Sequence, residues 1–207
     1  MALATDFLIM STDLSTREQW LEAALDAVRP IFVERGYRLP ACRVSCGFAS
    51  SGTRNGHIGQ CWSSAVSADD RNQIFISPVL DDPFDVLDTL VHELVHAVDD
   101  CRHKHGAEFR KIALAIGLEG PMRSAGAGPR LKQRLLQVAA ALGAYPHAKL
   151  TLPVVVPTKR RRARARCEKC GFTVPMLKAY LHVGPPICPQ DHVPMIPLGD
   201  WEGWEAG

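Results

Sequence analysis

The segment His92-Glu93-Leu94-Val95-His96 constrains the fold more than any other part of the chain. It matches H-E-x-x-H, and its two histidines share a face only on an α-helix, where positions i and i+4 lie one turn apart. The flanking residues support that helix. Leu87, Leu90, Val91, Leu94 and Val98 recur at helical spacing as an apolar stripe, and Asp85, Asp88, His92, His96 and Asp99 fall opposite. Pro83 suits a first turn, where its missing N–H costs little. The spacing predicts a helix over 83–100, anchored in a core on one side and presenting two imidazoles on the other. Such a pair can bind one metal ion, with Glu93 placed to take a proton from a water whose pKa zinc lowers toward neutrality. Asp88 precedes His92 by four residues, and Asp99 and Asp100 follow His96 by three and four. Each can accept the second ring N–H of a ligand imidazole. The rival reading is a pair of surface histidines on an amphipathic helix.

A catalytic zinc site needs a third protein ligand and an open position. His103, His105 and Glu108 are the candidates downstream. His105 opens a helix predicted over 106–116, whose buried face is Phe109, Ile112, Ala113 and Ile116 and whose end is marked by Gly117. His103 lies in a polar loop and reads as solvated.

His92-Glu-Leu-Val-His96, a short loop, and then His105-Gly-x-x-Phe109 together resemble the SprT-like family of zinc metalloproteases, whose eukaryotic relatives include Spartan. The resemblance covers roughly 16–145 and continues into a C-terminal metal module. It implies His92, His96 and His105 as zinc ligands, Glu93 as general base, and peptide-bond hydrolysis as the activity. The fold it implies is α+β, a zincin-like metalloprotease domain with helices packed on a small β-sheet. The likeness to Spartan further implies protein substrates, among them proteins bound or crosslinked to DNA.

The rest of this region reads as a helix over 16–35, with Trp20, Leu21, Ala24, Leu25, Val28 and Ile31 on one face, and another over 130–142. Strands are expected at 42–48, 57–64 and 73–77. Either of the last two could receive an extended peptide by edge pairing, which needs no side-chain specificity. Cys61 and Trp62 in the first of them read as packing residues. Met122 also reads as core, and neither Tyr37 nor Arg123 can be placed from sequence.

From residue 145 the composition changes. Eight of the 15 prolines fall in 151–207. That stretch holds 8 Lys and Arg against 5 Asp and Glu, whereas 1–150 holds 16 against 17, so the overall +2 is an average of two unlike parts. The excess lies mostly in Lys159, Arg160, Arg161, Arg162, Arg164 and Arg166. Guanidinium groups at this density neutralise phosphates without reading sequence, so contact with DNA is expected here; the alternative is a solvated linker. Directly after the run, Cys167-x2-Cys170-x17-Cys188-x3-His192 supplies four donors for a closed tetrahedral zinc site, with His182 a weaker substitute for His192. The expected organisation is a metalloprotease domain at 1–150, a basic proline-containing linker at 151–166, and a zinc-ribbon module and tail at 167–207. Two zinc ions are expected, one catalytic and one structural. The alternative is a nucleic-acid-binding or transcription-associated protein whose zinc sites are structural and which cleaves nothing.

With 46% hydrophobic and 22% charged residues, the chain is outside the disordered, collagenous and disulfide-scaffold classes. Seven cysteines do not suit a fully paired secreted framework. Met1 to Thr16 carries no Lys or Arg, so no signal peptide is expected, and Leu150 to Pro157 is broken by Pro153, so neither is a membrane span. A cytoplasmic protein with reduced thiols is the expectation. The tail Asp200-Trp201-Glu202-Gly203-Trp204-Glu205 reads as a partner motif or as frayed chain.

Overall fold

Helix α1 (Arg17–Val33) starts where the sequence offers a reciprocal cap. The Gln19 amide donates to Thr16 Oγ1 at 3.2 Å, and the Thr16 amide donates to Gln19 Oε1 at 2.9 Å. Its apolar face, Trp20 to Phe32, is buried. The structure, a computed structural model, describes residues 14–52, 56–152 and 162–201, and the chain divides into two units between Leu152 and Pro153.

The first unit is mixed α and β. Strands β1 (Cys42–Cys46), β2 (Gly59–Trp62) and β3 (Asn72–Ile76) form a sheet in the order β1-β3-β2, with β1 parallel and β2 antiparallel to β3. Ile74 and Ile76 alternate inward along β3, where period-two pairing puts them against the helices. Helix α2 (Pro83–Val98) begins at Asp82, whose carboxylate accepts from the Phe84 and Asp85 amides at 2.9 and 3.2 Å, with Pro83 in the first turn. Helices α3 (Ala107–Ile116) and α4 (Pro129–Leu142) follow, separated by the short pair β4 (Leu118–Glu119) and β5 (Gly126–Ala127), which the sequence did not announce. Gly117 ends α3 in the left-handed region, at φ 104°.

The reading of α2 as anchored on one side needs correction. Val86, Thr89, Glu93, Val95 and Ala97 are buried along with Leu87, Leu90, Val91 and Leu94 of the expected stripe, while Val98 is half-buried. This helix is the centre of the unit, with contacts to β2, β3, α3 and α4. After α4 the chain folds back. Trp20 donates to the Gly143 carbonyl at 3.3 Å and meets the Tyr145 ring edge-on at 5.0 Å, and His147 Nε2 and the Leu150 amide both reach the Pro78 carbonyl at 2.8 Å.

The second unit is a three-stranded antiparallel sheet, β7 (Thr173–Pro175), β6 (Arg164–Arg166) and β8 (Ile196–Leu198), in the order β7-β6-β8. Its clustered core is Ala165, Cys167, Cys188 and Met195. The expected linker over 151–166 therefore runs too far. Residues 164–166 are the central strand, because Ala165 points into that core while Arg164 and Arg166 point out. Among the described residues no helix is long and apolar enough to cross a membrane.

Candidate metal centres

His92 and His96 sit one turn apart on α2, and His105 comes from the loop entering α3. The structure brings their rings together through the Nε2 atoms. His105 Nε2 lies 3.3 Å from His92 Nε2 and 3.2 Å from His96 Nε2. Phe109, fully buried, underlies all three rings, with centroids 5.2, 4.3 and 4.9 Å from those of His92, His96 and His105. It is the residue that makes three imidazoles from two elements converge. Burial is the largest cause holding all three imidazoles below the usual histidine range, and His96 falls to about 3, with His92 and His105 adding to the effect. All three are neutral near pH 7, the form that offers a lone pair to a metal.

None of the three suggested aspartates orients a ligand ring directly. His92 Nδ1 lies 3.1 Å from the Ala125 carbonyl, and since a carbonyl only accepts, Nδ1 carries the proton and Nε2 is left with its lone pair. Asp88 acts at one remove, accepting from the Ala127 amide at 2.7 Å and so fixing the segment that carries Ala125. Asp99 pairs with His103 at 3.2 Å, so His103 is exposed but partnered. Asp100 accepts from Ser63 Oγ, the Ser64 amide and Asn72 Nδ2 at 3.0, 2.7 and 3.0 Å, which ties the end of α2 to the sheet.

Glu93 is only 6% exposed. Burial pushes its carboxyl up to about 8, against an opposing backbone hydrogen bond from Cys61. Strand β2 presses on it closely. A Cβ on Gly59 would lie 2.6 Å from Glu93 Oε1 and 2.7 Å from Thr89 Cγ2, so only glycine lets the strand approach. A cleft of about 770 Å³ opens above, lined by His92, Glu93, His96, His105, residues 59–61 of the edge strand β2, and Arg123 and Ser124. Arg123 lines this cleft; Tyr37 instead packs against the core, as does Met122.

The second group is Cys167, Cys170, Cys188 and Asp191. The Cys167 thiol donates to Asp191 Oδ2 at 3.2 Å, and Cys170 Sγ and Cys188 Sγ are 3.6 Å apart. The expected fourth donor, His192, is exposed and outside the group; so is His182. The reason is a repeated turn. In the first knuckle the Cys167 amide donates to the Phe172 carbonyl and the Gly171 amide to the Cys167 carbonyl, at 2.8 and 3.0 Å. In the second the Cys188 amide donates to the Val193 carbonyl and the His192 amide to the Cys188 carbonyl, at 2.8 and 2.9 Å. Gly171 and His192 hold the same left-handed position, with φ 77° and 54°. Asp191 therefore stands where the first knuckle has Cys170, and His192 stands where it has glycine. Aligning Cys-x-x-Cys-Gly with Cys-x-x-Asp-His would have shown this from sequence.

Of the basic run, Lys159, Arg160 and Arg161 lie outside the described residues. Arg162, Arg164 and Arg166 are exposed on alternate positions, with Ala163 and Ala165 buried between them. Trp201, from the expected tail motif, donates to the Arg164 and Leu198 carbonyls at 3.1 and 3.2 Å; Trp204 lies outside the described residues. Compared with protein-family models, with curated proteins and with solved structures, the chain matches none.

Proposed function

We propose that the first unit is a zinc-dependent metallopeptidase of the SprT-like, zincin-like kind, and that the second is a zinc ribbon that supports contact with DNA. The observation that carries the reading is the convergence of three neutral Nε2 atoms beneath an open cleft, with a buried carboxyl next in sequence. A tetrahedral ion with Zn–N of about 2.0–2.1 Å requires ligand nitrogens about 3.3 Å apart. The separations of 3.2 and 3.3 Å fit that edge. Bound there, zinc would polarise a scissile carbonyl and lower the pKa of a water.

The chain's own residues supply the rest. Phe109 and the Ala125 carbonyl fix the ring orientations before any ion arrives. Burial favours the protonated Glu93 carboxyl, so Glu93 would serve as base once a bound cation favours its ionised form, taking a proton from the attacking water and returning it to the leaving amine. Strand β2 is a sheet edge beside Glu93, and an extended substrate can pair with it. Protein substrates, including DNA-associated ones, follow from the resemblance. Glu93→Gln should keep the zinc of the histidine group and abolish cleavage of a casein-type substrate; undiminished cleavage would sink the mechanism.

In the second unit, sulfur donors at about 2.3 Å from zinc would lie about 3.7 Å apart. The Cys170–Cys188 separation of 3.6 Å fits, with Asp191 as the fourth donor. The rival reading, a nucleic-acid binder with structural zinc only, draws on Arg162, Arg164 and Arg166. On an extended chain, alternate residues are about 6.6–6.8 Å apart, a ladder suited to successive phosphates. That reading predicts salt-sensitive DNA binding, unaffected by Glu93→Gln, with no peptidase activity in any preparation.

A further inference from the structure

The cleft above the histidine group carries a charge pattern that the metal chemistry leaves unused. Its lining acids, Asp88 and Glu93, are both turned inward: Asp88 is engaged by the Ala127 amide, and Glu93 is buried. Its lining cations, Lys104 and Arg123, are both exposed, and among the described residues neither forms an ion pair. His57 lines the same cleft. The open side of the cleft is therefore positive, and low-dielectric walls focus such a field.

Both cations sit on short segments held by backbone hydrogen bonds. Lys104 directly precedes His105 and holds a left-handed backbone, φ 48°, in a loop whose start is pinned by Asp100 and whose end is closed by the Gly106 amide on the His103 carbonyl at 2.8 Å. Arg123 lies in a turn closed by the Ser124 amide on the Pro121 carbonyl at 2.8 Å and bracketed by the β4–β5 pair. Its field reaches His105. A neutral peptide offers these two groups only carbonyl acceptors, which bond a cation more weakly than a carboxylate does. A carboxylate gains charge-assisted hydrogen bonds from both, and the arginine fork can hold it through two parallel N–H donors.

We infer that the cleft selects peptides carrying a carboxylate close to the histidine group, with Arg123 and Lys104 as the positioning residues. This rests on the peptidase reading and names its substrate class. The carboxylate has two sources, an acidic side chain or a free C-terminus.

The test uses the full-length, zinc-loaded chain carrying Glu93→Gln and three short fluorescent peptides. One is neutral and amidated, one is the same with a single Asp, and one is the same with a free C-terminal carboxylate. At low salt, at least one carboxylate peptide should bind about three- to tenfold more tightly than the neutral one, and comparing the two identifies the source. Adding Arg123→Gln and Lys104→Gln should remove that gain, and Arg123→Glu should shift preference toward a lysine-bearing peptide. Equal affinities, no measurable binding of either carboxylate peptide, or a preference that survives loss of both cations would overturn the inference. The peptidase reading is read separately, from cleavage of the same peptides by the parent chain. Cleavage without carboxylate preference keeps the peptidase and discards the inference; carboxylate-selective binding without cleavage does the reverse.

Discussion

Among the described residues, the three imidazoles of the first unit rest on a core of 27 buried apolar residues, whereas the clustered core of the second unit is four, and two of those, Cys167 and Cys188, belong to its candidate metal group. The histidine group is a guest of a fold that exists for other reasons, positioned by Phe109 and the Ala125 carbonyl. The Cys and Asp group is most of what its unit has to fold around. A core of four residues cannot offset the chain entropy of ordering some forty, so a metal bound there would contribute folding free energy. With an ion bound, three donors under a cleft would leave a position open for chemistry, and four donors in paired knuckles would leave none.

The largest expected effect breaks the comparison outright if it fails. A strong chelator should unfold the second unit, since structural zinc in small modules contributes about 10–16 kcal/mol, while the helices of the first unit persist. Amide dispersion by NMR reads the one and circular dichroism the other; a second unit that stays dispersed without metal would make the two sites alike. Next is Phe109→Ala, which should cost about 3–5 kcal/mol in urea unfolding and weaken metal uptake by the histidine group, because the rings lose their common support. An unchanged metal affinity would detach the site from the core. Smaller is His192→Gly in the metal-loaded second unit. Relief of a left-handed non-glycine backbone should stabilise it by about 1 kcal/mol, seen as a raised thermal midpoint; a lower midpoint would count against the knuckle equivalence.

The smallest is a pH effect in the first unit. Burial raises the Asp100 carboxyl, but the Ser64 amide and the Asn72 and Ser63 side chains together outweigh it, and the value lies below the usual range. The folded pKa is below the unfolded one of about 3.9, so the stabilisation is present above that value and is lost as pH falls through the folded one. Asp100→Asn should therefore unfold more readily than the parent at pH 7 and approach it below about pH 4. A pH-independent gap would show that the effect is not the carboxylate's charge.

The four helices and strands β1, β2 and β3 of the first unit were legible because each rests on periodicity over a few residues, whereas the two-residue strands β4 and β5 are too short to show any. The starts of α1 and α2 follow from Thr16, Gln19, Asp82 and Pro83, all local to those first turns. What was missed came in two kinds. Asp191 was missed although its signal was local, because histidine is the commoner metal donor and the left-handed slot after a knuckle was not compared between the two turns. The burial of Val86, Val95 and Ala97 around the back of α2 was missed because an amphipathic stripe says which face is apolar, not how many elements will cover the helix.

The sequence alone determined what four-residue geometry can determine: that His92 and His96 share a face, that Glu93 stands beside them, and that Cys167 and Cys170 form a knuckle. Only the tertiary structure decided what orients and surrounds those groups. The partner of His92 is a carbonyl 33 positions away, the floor is an aromatic ring on another helix, and Glu93 owes its burial to a glycine of strand β2. Helical pitch and turn geometry are set by neighbouring dihedrals. A contact across loops depends on how every intervening element packs, and no local pattern encodes that.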